Sequence, residues 1–149
     1  MLELRNKYTD RDICDRLLDN CNLTISYDPH TYFVVFNFLV YGMVDNSYFL
    51  VKLTCDGIWQ INFATNSIED PPDRSQFKPY ITLGCSIQNG KLVDTVWMKN
   101  FDSISSCDKE IEAFQIDIFG DSLIKVICNS YQFSVFQLSE YEYLTYLKS

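Results

Sequence analysis

The chain has 149 residues, 47% of them hydrophobic and 15% aromatic, which is enough for one domain with a substantial core. Twelve Lys and Arg residues stand against 20 Asp and Glu residues, so the formal net charge is −8. This charge argues against direct binding to nucleic acid or to an anionic membrane, because both attract cationic surfaces. The first ten residues lack the apolar segment of a signal peptide, and we therefore predict a cytoplasmic protein.

Residues 9–20 are predicted to form a short helix. Thr9 is a suitable N-cap, and Ile13, Leu17 and Leu18 form an apolar stripe along one side. The hydrophobic pattern then changes to a period of two, which indicates that strands begin at about residue 22.

Two hairpins are predicted next. The first turns at residues 28–31, where Asp and Pro favour a type I turn, and it pairs Leu23 with Phe36. The second has the three-residue loop Cys55-Asp56-Gly57, which pairs Leu53 with Trp59 and places this tryptophan in the core.

A polar stretch over residues 65–78 is predicted to be a long exposed connection. Asn89-Gly90 follows and is a strong signal for a two-residue hairpin turn. That register places Asp94 on the apolar face opposite Cys85, where a carboxylate needs a partner or water.

The C-terminal part predicts a three-strand meander over residues 114–138, with turns at 120–122 and at 129–130. Its register places Asp117 across from Lys125 on the outer face. A helix over residues 140–148 is expected to follow and to pack on the sheet through three apolar residues, namely Tyr141, Leu144 and Leu147.

These elements predict a single mainly β domain over residues 1–149. About eight strands between residues 22 and 138 are joined by hairpins rather than by helical crossovers. Such a pattern indicates an antiparallel β-sandwich or barrel, with one short helix at each end of the chain.

The residues that usually carry enzyme chemistry are scarce. His30 is the only histidine and lies in a predicted turn, so we interpret it as a solvated loop residue and predict neither a catalytic triad nor a His-rich zinc site. The six cysteines have no metal-ligand spacing and are interpreted as reduced structural thiols, with Cys85 and Cys128 facing the core. Asp94 is the one acid predicted on the core face, and a buried hydrogen bond or a register error explains it as well as catalysis does. We predict a protein that is not an enzyme and binds no cofactor or metal.

Binding surfaces are the alternative source of function. Trp97 is predicted on the face opposite the core, so it is a better candidate than Trp59 for contact with a ligand or partner. Acidic side chains cluster in four places: on the first helix, in the two polar connections and in the C-terminal helix. Loops gather at the ends of such a β domain, so two of these clusters are expected to merge into one negative patch. The candidate partner-binding residues are Glu69, Asp70, Asp73, Trp97, Asp102, Asp108, Glu110 and Glu112.

In size, acidity and aromatic strands such as Tyr32-Phe-Val-Val-Phe36, the chain resembles the small acidic immunity proteins of bacterial toxin–immunity systems, including contact-dependent growth inhibition. This resemblance implies a non-enzymatic inhibitor that binds a cognate toxin domain, often a basic nuclease. An acidic surface suits such a partner, because charge complementarity accelerates association. Two alternatives stay open: a carbohydrate-type ligand-binding β-sandwich, and a phage-type inhibitor of a nucleic-acid-binding host protein.

Overall fold

A computed structural model of the chain describes residues 1–42, 47–65, 80–91 and 112–148. These residues are mostly antiparallel β-structure with two short helical regions. The strands are β1 (Leu2–Glu3), β2 (Cys21–Asp28), β3 (Phe33–Gly42), β4 (Ser47–Thr65), β5 (Tyr80–Lys91), β6 (Glu112–Gly120) and β7 (Ser122–Leu138). The helices are α1 (Asp10–Asp12), which continues as a π-helical segment over Ile13–Leu17, and α2 (Glu140–Lys148).

The seven described strands form one sheet in the order β1-β7-β4-β3-β2-β5-β6, joined by antiparallel ladders. β6 also pairs with β7, so the first half of β7 has β4 on one side and β6 on the other. The predicted antiparallel β class is confirmed. The described strands belong to a single sheet, and the finer prediction of a sandwich or barrel is not confirmed.

The core lies on one face of the sheet, which we call the inner face. Alternate residues of neighbouring strands point to this side, because side chains alternate along a strand with a period of two. Phe36, Leu53 and Val126 have no exposed surface there. Ile13 and Leu18 from the N-terminal helical region pack on the same cluster, which confirms two residues of the predicted helical stripe.

The N-terminal helix begins where the sequence predicts and ends earlier. Thr9 and Asp12 form a reciprocal capping box, in which each side chain accepts a hydrogen bond from the other residue's backbone N–H. Helical structure ends at Leu17, and Asn20 has a positive φ of 57°, which lets the chain turn into β2.

The turn between β2 and β3 lies one residue later than predicted. β2 extends to Asp28, so the loop comprises residues 29–32, and Leu23 pairs with Phe38 rather than with Phe36. This shift by two residues keeps the same side chains on the inner face. The predicted faces are therefore right although the predicted register is wrong.

The predicted turn at Cys55-Asp56-Gly57 is wrong, because β4 runs through these residues without interruption. The ladder between β4 and β7 continues past them and changes register between Ile58 and Gln60. Gly57 has a φ of 64°, the left-handed conformation that glycine adopts at least cost. The Asp-Gly pair thus forms an irregularity within a 19-residue strand.

The predicted turn at Asn129-Ser130 is wrong in the same way, because β7 is one continuous strand of 17 residues. Asn129 lies beside Gly57 on the neighbouring strand, so close that a Cβ atom on this glycine would collide with its side chain. Two turn-like dipeptides, far apart in sequence, therefore meet at the same irregular point of the sheet.

The predicted turn at Asn89-Gly90 is also wrong. β5 includes both residues, and Gly90 pairs with Ala113 of β6. Asp94, which the predicted hairpin placed opposite Cys85, lies outside the described residues. Cys85 pairs instead with Ile118 and is buried, as are most of the described cysteines, and this confirms the core position predicted for it.

The meander prediction is confirmed for its first two strands. β6 and β7 are separated by Asp121 alone, and Asp117 lies opposite Lys125 as expected. The final helix α2 also has the predicted bounds, but it packs through Tyr143, which lies against the cluster of Leu39, Leu50 and Leu138 on the outer face. The three residues predicted to make this contact, Tyr141, Leu144 and Leu147, are exposed.

Candidate functional site

Seven of the eight predicted partner-binding residues lie outside the described part of the chain; they are Glu69, Asp70, Asp73, Trp97, Asp102, Asp108 and Glu110. The eighth, Glu112, is the first residue of β6, where its backbone pairs with Lys91. The two predicted acidic connections are therefore not tested by the structure.

The carboxylates of the N-terminal helix are described, and three of them have structural partners. Asp10 accepts a hydrogen bond from the hydroxyl of Tyr131 at 2.8 Å, and Asp12 belongs to the capping box. Asp15 forms an ion pair with Arg11 at 3.5 Å. Asp10 and Asp15 line a groove of about 470 Å³ beside the helix, together with residues that include Cys14 and Phe114.

A second groove has a different character. It has a volume of about 490 Å³, and its lining is almost entirely apolar and aromatic. We call it the aromatic groove; its lining residues are Ile25, Tyr27, Tyr32, Val34, Ile58, Trp59, Gln60, Ile61 and Phe63.

The aromatic groove is a continuation of the inner face beyond the closed core. Tyr27 pairs with Val34, whose side chain is fully buried, and Ile25 pairs with the core residue Phe36. Phe63 pairs with Ile124, which is also buried. The alternation of apolar residues thus continues along β2 and β4 beyond the part of the inner face that the core covers.

The side chains of this groove are unusually exposed for their size. Ile25 is 40% exposed, Tyr27 50%, Tyr32 61% and Phe63 63%. Single exposed apolar residues are ordinary on protein surfaces, but a contiguous concave set of them is typical of binding sites.

Trp59 is held in the groove wall rather than in the core, so the prediction of a core position is wrong. It follows Ile58 at the register change of β4, and this turns it away from the regular alternation. Its indole N–H donates a 2.6 Å hydrogen bond to the Asn129 side-chain oxygen. The ring therefore has one fixed orientation with a partly exposed surface.

The carboxylates of Asp28 and Asp56 do not belong to the groove lining, because they follow Tyr27 and Cys55 in their strands and strand alternation places them on the opposite face. Both are exposed, and both pair across the sheet with Phe33, so their Cα atoms are about 10 Å apart, two strand spacings. Each accepts one backbone hydrogen bond at 2.9 Å, Asp28 from His30 and Asp56 from Gly57. His30 is exposed in the turn, as predicted.

Elsewhere in the described structure, the thiols of Cys14 and Cys21 and the partly buried phenol of Tyr131 are among the groups with a perturbed pKa. Burial raises the pKa of Cys21 to about 12, and burial together with the Asp10 hydrogen bond raises that of Tyr131 to about 12. A hydrogen bond from the Cys85 thiol lowers the pKa of Cys14, which is only half-buried. None of these groups lines the aromatic groove.

Comparison of the chain with protein-family models and with curated protein sequences finds no match. Within the described ranges, no cluster of three or more His, Cys, Asp or Glu side chains has a geometry that could hold a metal ion. No helix in the same part of the chain has the length and apolarity needed to cross a membrane.

Proposed function

We propose that this protein is a non-enzymatic inhibitor of the immunity type, which acts in the cytoplasm by binding a basic protein toxin domain. The aromatic groove forms the centre of the contact surface in this proposal. The observation that carries it is the contiguous exposure of Tyr27, Tyr32 and Phe63 beside the fixed ring of Trp59. Aromatic residues in such pockets dominate the binding energy of protein interfaces.

The charge of the chain supports a basic partner. The formal net charge of −8 attracts a cationic protein and accelerates its association. In this scheme, burial of the apolar groove provides most of the affinity, which salt changes little. The acidic surface accelerates association with the partner, and salt slows this step.

The test is co-expression with the product of the adjacent gene, followed by purification at low and at high salt and by a growth assay of the co-expressing cells. We expect a stoichiometric complex that forms more slowly in high salt, and rescue of growth when the partner alone is toxic. Recovery of the protein alone under both conditions, with no rescue, would contradict the proposal.

A second candidate function is binding of a carbohydrate-type ligand. It is favoured by the placement of Trp59 beside two tyrosines and the amide of Gln60, since sugars stack on aromatic rings and accept hydrogen bonds from amides. A soluble oligosaccharide that changes the fluorescence of the wild-type protein, but not that of Trp59→Phe, would favour this function over the inhibitor.

A further inference from the structure

We propose that Cys14 and Cys85 form a redox-active thiol pair, in which a hydroperoxide oxidises Cys14 and Cys85 then closes a disulfide with it. The pair is a modification site that joins the N-terminal helical region to β5. Neither cysteine lines the aromatic groove, so this site is separate from the proposed contact surface and does not depend on it.

Contacts on both sides of Cys85 place Cys14 next to it. Towards the start of β5, the hydroxyl of Thr82 donates a hydrogen bond of 3.3 Å to the carbonyl oxygen of Leu18. Two residues beyond Cys85, and therefore on the same face of β5, Ile87 lines one groove together with Cys14. The helical region thus crosses β5 over Cys85, whose thiol donates a hydrogen bond to the sulfur of Cys14.

The two thiols differ in access, and this difference assigns their roles. Cys14 is half-buried and lines the groove of about 470 Å³, so a small oxidant can reach its sulfur from solvent. Cys85 is only 8% exposed and belongs to the core cluster. Cys14 is therefore the thiol that meets the oxidant, and Cys85 is the thiol that resolves the oxidised form.

The hydrogen bond from Cys85 also activates Cys14. It lowers the pKa of the Cys14 thiol, and it outweighs burial and the nearby carboxylates of Asp10 and Asp15, which act in the opposite direction. A lower pKa favours the thiolate, which is the nucleophilic form of cysteine. Redox-sensing cysteines share these properties, since they are accessible, have a lowered pKa and lie beside a second, resolving cysteine.

The reaction has two steps, and both balance. The Cys14 thiolate attacks the hydroperoxide, so that an S–O bond forms, the O–O bond breaks and the departing hydroxide or alkoxide takes up a proton. The Cys85 sulfur then attacks the sulfur of the resulting sulfenic acid, and the oxygen leaves as water with the Cys85 proton. The two sulfurs together lose two electrons, which the peroxide gains. A dithiol reductant reverses the change.

A second thiol pair in the same core provides a matched comparison. Cys128 accepts a hydrogen bond from Cys55, as Cys14 does from Cys85. Neither Cys55 nor Cys128 has any exposed surface. The two pairs therefore share their hydrogen bonding and differ in access to solvent, so only Cys14 and Cys85 should react while the protein is folded.

The test is oxidation of the reduced full chain with hydrogen peroxide. The remaining thiols are then alkylated in denaturant with N-ethylmaleimide, and tryptic peptides are analysed by mass spectrometry without reduction. Trypsin places each of the six cysteines in a separate peptide, so every linkage can be identified. We expect one linked pair of peptides, joined through Cys14 and Cys85, and loss of the alkylated forms of both. The peptides of Cys55 and Cys128 should stay alkylated, and dithiothreitol should restore the lost forms.

Two variants separate the steps. Cys85→Ala removes the resolving thiol, so the sulfenic acid of Cys14 should persist and be trapped by dimedone. The matched control Cys128→Ala breaks the enclosed pair and should leave the link between Cys14 and Cys85 unchanged.

The wild-type chain alone decides the outcome, so the test holds even if Cys85→Ala fails to fold. Full alkylation of Cys14 and Cys85 after a treatment that oxidises the denatured chain would overturn the inference. A link between Cys55 and Cys128 that forms first would also overturn it. So would a disulfide from Cys14 to Cys107, which lies outside the described residues, in place of the expected link.

Discussion

Replacement of Gly57 by alanine tests the most irregular point of the sheet. An alanine at a φ of 64° costs about 1–2 kcal/mol, because its Cβ atom crowds the backbone in the left-handed conformation. The new Cβ atom would also collide with Asn129, lying 2.9 Å from both Cβ and Cγ of that residue, and such overpacking costs about 1–3 kcal/mol more. We therefore expect Gly57→Ala to lower the free energy of unfolding by about 2–5 kcal/mol.

The assay is urea unfolding, with Gly84→Ala as the control, since an added Cβ atom there meets nothing within 4 Å. We expect the control to stay within about 0.5 kcal/mol of wild type. A double-mutant cycle repeats Gly57→Ala in an Asn129→Ala background, where the collision is partly relieved. The loss in free energy of unfolding should fall there by about 1 kcal/mol. A loss that is the same in both backgrounds would refute the contact between β4 and β7 and would favour the hairpin turn expected from Asp56-Gly57.

Three further predictions concern packing, titration and thiol chemistry. Phe36→Ala should destabilise the protein to urea by about 3–5 kcal/mol, because the ring is fully buried, whereas Phe63→Ala should cost less than about 0.5 kcal/mol; equal losses would contradict the exposure of the groove. Hydrogen bonds from the Thr9 side chain and backbone lower the pKa of Asp12 below its ordinary 3.8, so they stabilise the fold above that pH and are lost as the pH falls. An NMR titration of Thr9→Ala should show this pKa rising, and an unchanged pKa would contradict the contribution of the Thr9 side chain. Iodoacetamide should alkylate the half-buried Cys14 before the buried Cys21, and peptide mass spectrometry giving the reverse order would contradict the assigned burial.

The sequence predicts the faces of the strands well and the ends of the strands poorly. Hydrophobic alternation places Leu23, Leu53 and Val126 on the inner face, as the structure does. A shift by two residues, as between β2 and β3, leaves that pattern intact, so periodicity alone cannot detect it. Pairing partners depend on where a strand ends, and alternation carries no information about that.

Three turn-like dipeptides mislead the prediction for one physical reason. Asp56-Gly57, Asn89-Gly90 and Asn129-Ser130 all suit tight turns, but in the structure each lies within a long strand that pairs with a neighbouring strand. At Gly57 the left-handed residue accommodates an irregularity in the ladder instead of closing a hairpin. A long-range pairing such as that of β4 with β7 cannot be inferred from local sequence.

The aromatic groove is missed for a related reason. Sequence reasoning assigns every inward-facing apolar residue to the core, and it places Trp59 there through the wrong hairpin. In the structure, β2 and β4 extend beyond the closed core, so Ile25, Tyr27 and Phe63 keep their inward direction but remain exposed. The sequence does contain one signal for this groove. More aromatic residues lie near the ends of these two strands than a turn requires.

The most direct test of the binding account is calorimetric titration of the purified partner into wild-type protein, Phe63→Ala and Phe119→Ala. Phe63 and Phe119 are both exposed on the described surface, but Phe119 lies outside the aromatic groove. We expect Phe63→Ala to weaken the complex by more than about 1 kcal/mol, roughly fivefold or more, and Phe119→Ala to match wild type. Equal affinity of all three proteins would contradict the claim that the aromatic groove is the centre of the interface.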